Sequence, residues 1–138
     1  MNKTVKMTLA DGTEQGVSFR ATGTTQIRYR MIFRKELMKS LASVAKSMSE
    51  TDESDGLKTL ENMDSDGLSV IGELAYIMNL QAEGGDFSEA SYDSYLEWLD
   101  QFDSMEMITH APEIIEAYIS SRATTSKAKK KNVQPTGK

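Results

Sequence analysis

Residues 19–48, FRATGTTQIRYRMIFRKELMKSLASVAKSM, decide how this chain is read. Phe19 closes an alternating apolar run. Thr22 to Thr25 then offer hydroxyls to the orphan N–H groups of a first helical turn, and helical spacing follows. At about 100° per residue, Phe33, Leu37, Leu41, Val44 and Met48 fall within about 80° of one another, flanked by Ile27, Met31, Met38 and Ala45. This spacing predicts one long helix with a core-facing stripe. On the opposite side Arg28, Lys35, Lys39 and Lys46 fall within about 40° of one line. Such a ridge is either a solvated back or a docking face for an acidic partner.

Charge elsewhere gives the ridge a context. From Glu50 to Glu116 the chain carries eighteen carboxylates and one base, Lys58. Residues 1–122 hold eleven Lys and Arg against twenty-one acids, whereas residues 123–138 hold five lysines and no acid. A net-acidic body is a poor phosphate-binding surface, so nucleic acid is not the expected main ligand. The 138 residues fit one domain with a real core, and the chain has no cysteine for disulfides, thiolate metal sites or a cysteine nucleophile. The start, MNKTVKMTLADG, lacks an apolar run of signal-peptide length, and no later segment is apolar enough to span a bilayer, so a cytoplasmic protein is expected.

The expected fold is mainly α: a compact helical domain over residues 1–122, opened by a β-hairpin at about 3–19, with a flexible basic tail at 123–138. In the hairpin Val5, Met7 and Leu9 alternate with polar residues, Asp11-Gly12 makes the turn, and Val17 and Phe19 resume the alternation. Its open edge offers a pairing site for a second subunit. Ser49 to Asp55 reads as an acidic loop, and Leu57, Leu60 and Met63 suit a short helical turn or two. Neither this loop nor Asp64-Ser65-Asp66-Gly67 completes a calcium-loop pattern.

Leu68 to Ala82 is apolar on several sides and predicts a buried helix ended by Gly84-Gly85. A third helix begins near Ser88 or Ser91, with Tyr92, Tyr95, Leu96, Leu99 and Phe102 on its stripe and Asp93, Glu97 and Asp100 on its other face. Trp98 lies beside that stripe, as a half-buried boundary residue or an exposed anchor. Met105 to Ser121 closes the helical part, with Pro112 in a first turn and Ile114, Ile115 and Tyr118 facing inward. The nine methionines suit core gap-filling first and adaptable partner surfaces second.

No catalytic machinery is legible. His110 is the single histidine and has no nucleophile motif nearby, and the phosphate-loop, dinucleotide, serine-elbow and zinc-protease patterns are absent. A non-enzyme with no cofactor and no metal is expected.

The segment FRATGTTQIRYRMIFRKELMKSL resembles the start of the tail assembly chaperones of long-tailed bacteriophages and prophages, in which a short β segment leads through an Arg-x-Thr stretch into an Arg-Tyr-Arg-x-x-Phe helix. The order that follows is also similar: an acidic loop, Leu-Ala-Tyr-Ile-Met within residues 72–82, Leu-Glu-Trp-Leu-Asp-Gln-Phe at 96–102, Pro-Glu-Ile-Ile-Glu from Pro112, and a Thr-Thr-Ser-Lys-x-Lys-Lys tail. The likeness covers nearly the whole chain. It departs from the pattern in its long acidic loop and in Thr109-His110-Ala111 before the proline.

The resemblance implies a protein that coats the tape measure protein in the host cytoplasm, self-associates, and is absent from the mature virion. It further implies an extended form, made by programmed frameshifting, that recruits the tail tube protein; Lys129-Lys130-Lys131 is compatible with a slippery adenine run. Under that reading Arg28, Lys35, Lys39, Lys46, Phe33 and Trp98 are the candidate partner-binding or self-association residues, with the ridge meeting the acidic half of a neighbouring copy. The alternative is a small regulatory or nucleic-acid-binding protein using the basic helix and lysine tail, and a third reading is a structural protein retained in the virion.

Overall fold

Alternation in the first nineteen residues does produce a hairpin. In the computed structural model, which describes residues 2–49 and 65–119, strand β1 (Lys3–Thr8) pairs antiparallel with β2 (Glu14–Phe19), Val5 opposite Val17 and Lys3 opposite Phe19. Val5, Met7, Val17 and Phe19 are buried, as the period of two requires. At the turn Gly12 takes φ 91°, a left-handed conformation open to glycine. The Asp11 carboxylate accepts from the Thr13 amide and hydroxyl, which holds it below its ordinary pKa.

Neither edge of the hairpin is wholly open. Asp103 N–H donates to Thr8 O and Ala10 N–H to Gln101 O, while Arg20 N–H donates to Met78 O and Asn79 Nδ2 to Ser18 O. A two-stranded ribbon is marginal alone, and these contacts supply the support that it needs. They also occupy backbone groups that the sequence left available to a second subunit.

The predicted long helix is two. Helix α1 (Thr25–Phe33) ends where Arg34 turns left-handed at φ 59°, and α2 (Leu37–Ser49) starts three residues later. Arg34 N–H still reaches Arg30 O, closing the last turn of α1. A non-glycine residue in this conformation costs about 1 kcal/mol. In return both Phe33 and Leu37 are buried, although they sit on separate helices.

Helix α3 (Ser65–Ala82) is the centre of the molecule. It packs against β2, α1, α2, α4 (Tyr92–Leu99) and α5 (Glu106–Thr109). Val70, Ile71, Leu74, Ala75, Ile77 and Met78 are buried, as expected of a helix apolar on several sides. The chain leaves it through Gly84 and Gly85, both at positive φ. Ser91 caps α4 by accepting from Ser94 N–H, and helix α6 (111–119) carries Pro112 in its first turn.

The buried side chains form one cluster running from the hairpin to Tyr118. Ile114, Ile115 and Tyr118 face inward as predicted, but the stripe on α4 does not hold: Tyr95 and Phe102 are buried, while Tyr92 and Leu96 are exposed. Met7, Met78 and Met107 fill the core, and Met31, Met38 and Met105 stay on the surface. Ser49 ends α2, and the rest of the acidic loop expected at 49–55, the helical turns expected at Leu57, Leu60 and Met63, and the basic tail expected at 123–138 lie outside the described residues.

Candidate partner-binding surfaces

The entry into α1 is built from hydroxyls, though not as helix caps. Thr24 makes no side-chain capping bond. Instead Thr25 Oγ1 donates to Gln81 Oε1 at 2.6 Å, Gln81 Nε2 donates to Thr22 Oγ1 at 2.8 Å, and Thr22 N–H donates to Thr25 Oγ1 at 2.8 Å. Gln81, buried near the end of α3, thus anchors the start of α1.

The basic ridge does not survive the break at Arg34. Arg28, on α1, lies over the Phe87 ring at 4.3 Å, a cation–π contact that ties α1 to the loop after α3. Lys35 turns inward, its Nζ 3.0 Å from the Glu73 carboxylate. Lys39 and Lys46 lie exposed on α2. The helix break at Arg34 interrupts the spacing of seven, four and seven that had aligned the four. Lys35, paired with Glu73, is thereby drawn away from the line that it was expected to share with Arg28, Lys39 and Lys46.

Glu73 is where those changes converge. Its side chain is 5% exposed and accepts both from Lys35 and from Tyr29 Oη, the latter at 2.6 Å. Burial, then the hydrogen bond to Glu73, push the Tyr29 hydroxyl well above its ordinary pKa, so that it remains a donor. Tyr29 is fully buried and Phe33 nearly so; the sequence stripe included the second but not the first. A lone carboxylate amid Val70 to Met78, an otherwise apolar run, was the legible signal that a cation and a donor must come to it.

Phe33 and Trp98 belong to one aromatic cluster. Phe33 meets Tyr29, Tyr76, Tyr92 and Tyr95 with centroids 5.1–6.5 Å apart, and Trp98 meets Tyr76 at 5.6 Å and Phe102 at 4.9 Å. Trp98 is half-buried, and its Nε1 donates to Asn79 Oδ1 at 3.1 Å. Phe33 is thereby a core residue, and Trp98 exposes only part of its ring to any partner.

Other apolar groups remain outside. Ile27 (49% exposed) and Met31 (61%) lie on the side of α1 turned away from the core. Met38 on α2 and Ile119 on α6 are exposed where these helices meet, Tyr118 Oη reaching Met38 Sδ at 3.8 Å. Tyr92, Leu96 and Met105 are exposed along α4 and the loop that follows it. Beside Met105 opens a cleft of about 660 Å³, floored by Gly72, Tyr95, Leu99 and Met107 and edged by Asp100 and Asp103.

His110 stands at the turn between α5 and α6, in contact with Glu106 and Glu113. Glu106 is buried and accepts from Thr8 N–H at 2.6 Å, joining α5 to the hairpin, a role that no pattern in the sequence announced. Among the described residues no group of three or more His, Asp and Glu is placed to hold a metal ion. No described helix is long and apolar enough to cross a membrane. No family model, no curated protein and no solved structure matches the chain.

Proposed function

We propose that this chain is a tail assembly chaperone of a long-tailed bacteriophage or prophage, which covers the apolar surface of the tape measure protein in the host cytoplasm until tube subunits replace it. In this reading it self-associates, performs no catalysis and leaves before the virion is complete. An extended, frameshifted form brings in the tail tube protein. The segment order set out above supplies the identity of the partner.

The observation that supports the chemistry is the apolar surface that the core leaves outside on several elements, Ile27 and Met31 on α1, Met38 on α2 and Ile119 on α6. Met31, Met38 and Met105 are unbranched and polarizable, suited to a long helical partner whose side chains change along its length. Ile27 and Met31, exposed one turn apart on α1, leave apolar surface open to association. Surrounding charge keeps a coated partner dispersed, because the body of the chain is strongly acidic.

Co-expression with the long helix-rich protein encoded downstream tests the proposal. The partner is expected to be insoluble alone and to co-purify in a soluble complex with this chain. A partner that stays insoluble with both the short and the extended forms present overturns the proposal.

A further inference from the structure

Two helices carry apolar faces of similar form and opposite charge. On α1, Ile27 and Met31 lie one turn apart, about 160° round the helix from Tyr29 and Phe33. Arg28 and Arg30 border that pair, one on either side, and Arg34 stands at its end. Arg30 has only a 3.7 Å contact with the exposed Glu36, and Arg34 makes no ion pair with another described residue.

On α4, Tyr92 and Leu96 are also one turn apart and exposed. Along their outer side run Asp93, Glu97 and Asp100, followed by Asp103 beside Met105. None of these four carboxylates pairs with a described cation. One face is an apolar pair bordered by guanidiniums, the other an apolar pair bordered by carboxylates.

We infer that the occupant of the α1 outer face is α4 of a second copy of this chain. Helices packed 8–10 Å apart, roughly, place Ile27 and Met31 against Tyr92 and Leu96 and bring Arg30 and Arg34 to the carboxylate row. The contact joins two different patches, so it is heterologous, and a pair leaves one face of each sign unused, one on each copy, for the next. The inference rests on the self-association in the proposed function, and it replaces the ridge of Arg28, Lys35, Lys39 and Lys46 with a face that the helix break leaves intact.

Charge reversal on the full chain, read by sedimentation, tests it. Arg30→Glu with Arg34→Glu, and separately Glu97→Lys with Asp100→Lys, are each expected to weaken self-association by more than about tenfold while melting as the wild type does. Mixing the two variants, or combining all four substitutions in one chain, is expected to restore association. Ile27→Ser with Met31→Ser supplies a control without charge reversal and is expected to weaken association as well. A wild-type chain that sediments as a monomer throughout overturns the inference, even where it still co-purifies with the tape measure protein. Folded reversal variants that associate as the wild type does, or that do not recover on combination, overturn it too.

Discussion

Lys35 Nζ and the Glu73 carboxylate lie 3.0 Å apart, joining the corner between α1 and α2 to the middle of α3. Tyr29 Oη reaches the same carboxylate oxygen from α1. One buried acid therefore fixes the direction of the chain on both sides of Arg34. The pair explains why a lysine spaced like its neighbours on a helix back does not stay there.

Lys35→Ala is expected to lower stability by about 2 kcal/mol, because it leaves a buried carboxylate with the Tyr29 hydrogen bond alone. The 30% exposure of the Lys35 side chain keeps the loss below that of a fully buried pair. Lys39→Ala, on the exposed side of α2, is expected to change stability by less than about 0.5 kcal/mol. Urea unfolding of the two variants separates them, and equal effects would remove the distinction drawn between these lysines.

Most of the elements were legible because their patterns are local. Val5, Met7, Val17 and Phe19 alternate, and Val70 to Met78 is too apolar for a surface, so both announce themselves without knowledge of the rest. The break at Arg34 is different. No glycine or proline marks it, and 100° per residue carries the stripe smoothly from Phe33 to Leu37. Only the position of Glu73, which is distant in sequence, determines that Lys35 must turn inward. The surfaces were misjudged for the same reason: Ile27 and Met31 count as stripe residues in a single helix, and the packing of Tyr29 instead places them outside. Tyr92 and Leu96 sit on a helical stripe that the core is too small to cover completely.

Alkaline pH is expected to destabilise the fold through its buried phenols. Burial raises Tyr29 and Tyr95 well above their ordinary 10.0, helped by Glu73 nearby, and burial raises Tyr76 in the same direction. Below the unfolded value these groups are protonated in both states, so their contribution is fully present. As the pH rises past about 10, the unfolded chain loses protons that the folded chain keeps, and stability falls by up to about 1.4 kcal/mol per pH unit for each such group. Melting temperatures between pH 8 and 11, roughly, are expected to be flat and then to drop, with Tyr29→Phe showing a shallower drop.

Arg34→Gly is expected to raise stability by up to about 1 kcal/mol, because glycine adopts positive φ without the Cβ clash that arginine bears at 59°. The greater freedom of glycine in the unfolded chain offsets part of that gain. Because glycine also removes the guanidinium from the α1 face, the stabilised variant is expected to self-associate more weakly. Calorimetry and sedimentation on the same sample read the two effects separately.

Gly72→Ala tests how closely α3 and α4 are fitted beneath the cleft. A Cβ at Gly72 would stand 2.8 Å from Tyr95 Oη, with Leu99 Cδ1 at 3.5 Å and Met107 Cγ at 3.6 Å. Tyr95 is buried and its ring is rigid, so its hydroxyl yields only if α4 moves. The overpacking is expected to cost about 1–3 kcal/mol, of which alanine's better helix propensity returns somewhat less than about 1 kcal/mol. Tyr95→Phe removes the atom that is struck, and adding it to Gly72→Ala is expected to recover most of the loss. A double-mutant cycle by denaturant unfolding measures that coupling directly. Additive effects would mean that α4 approaches α3 less closely than the 2.8 Å contact requires.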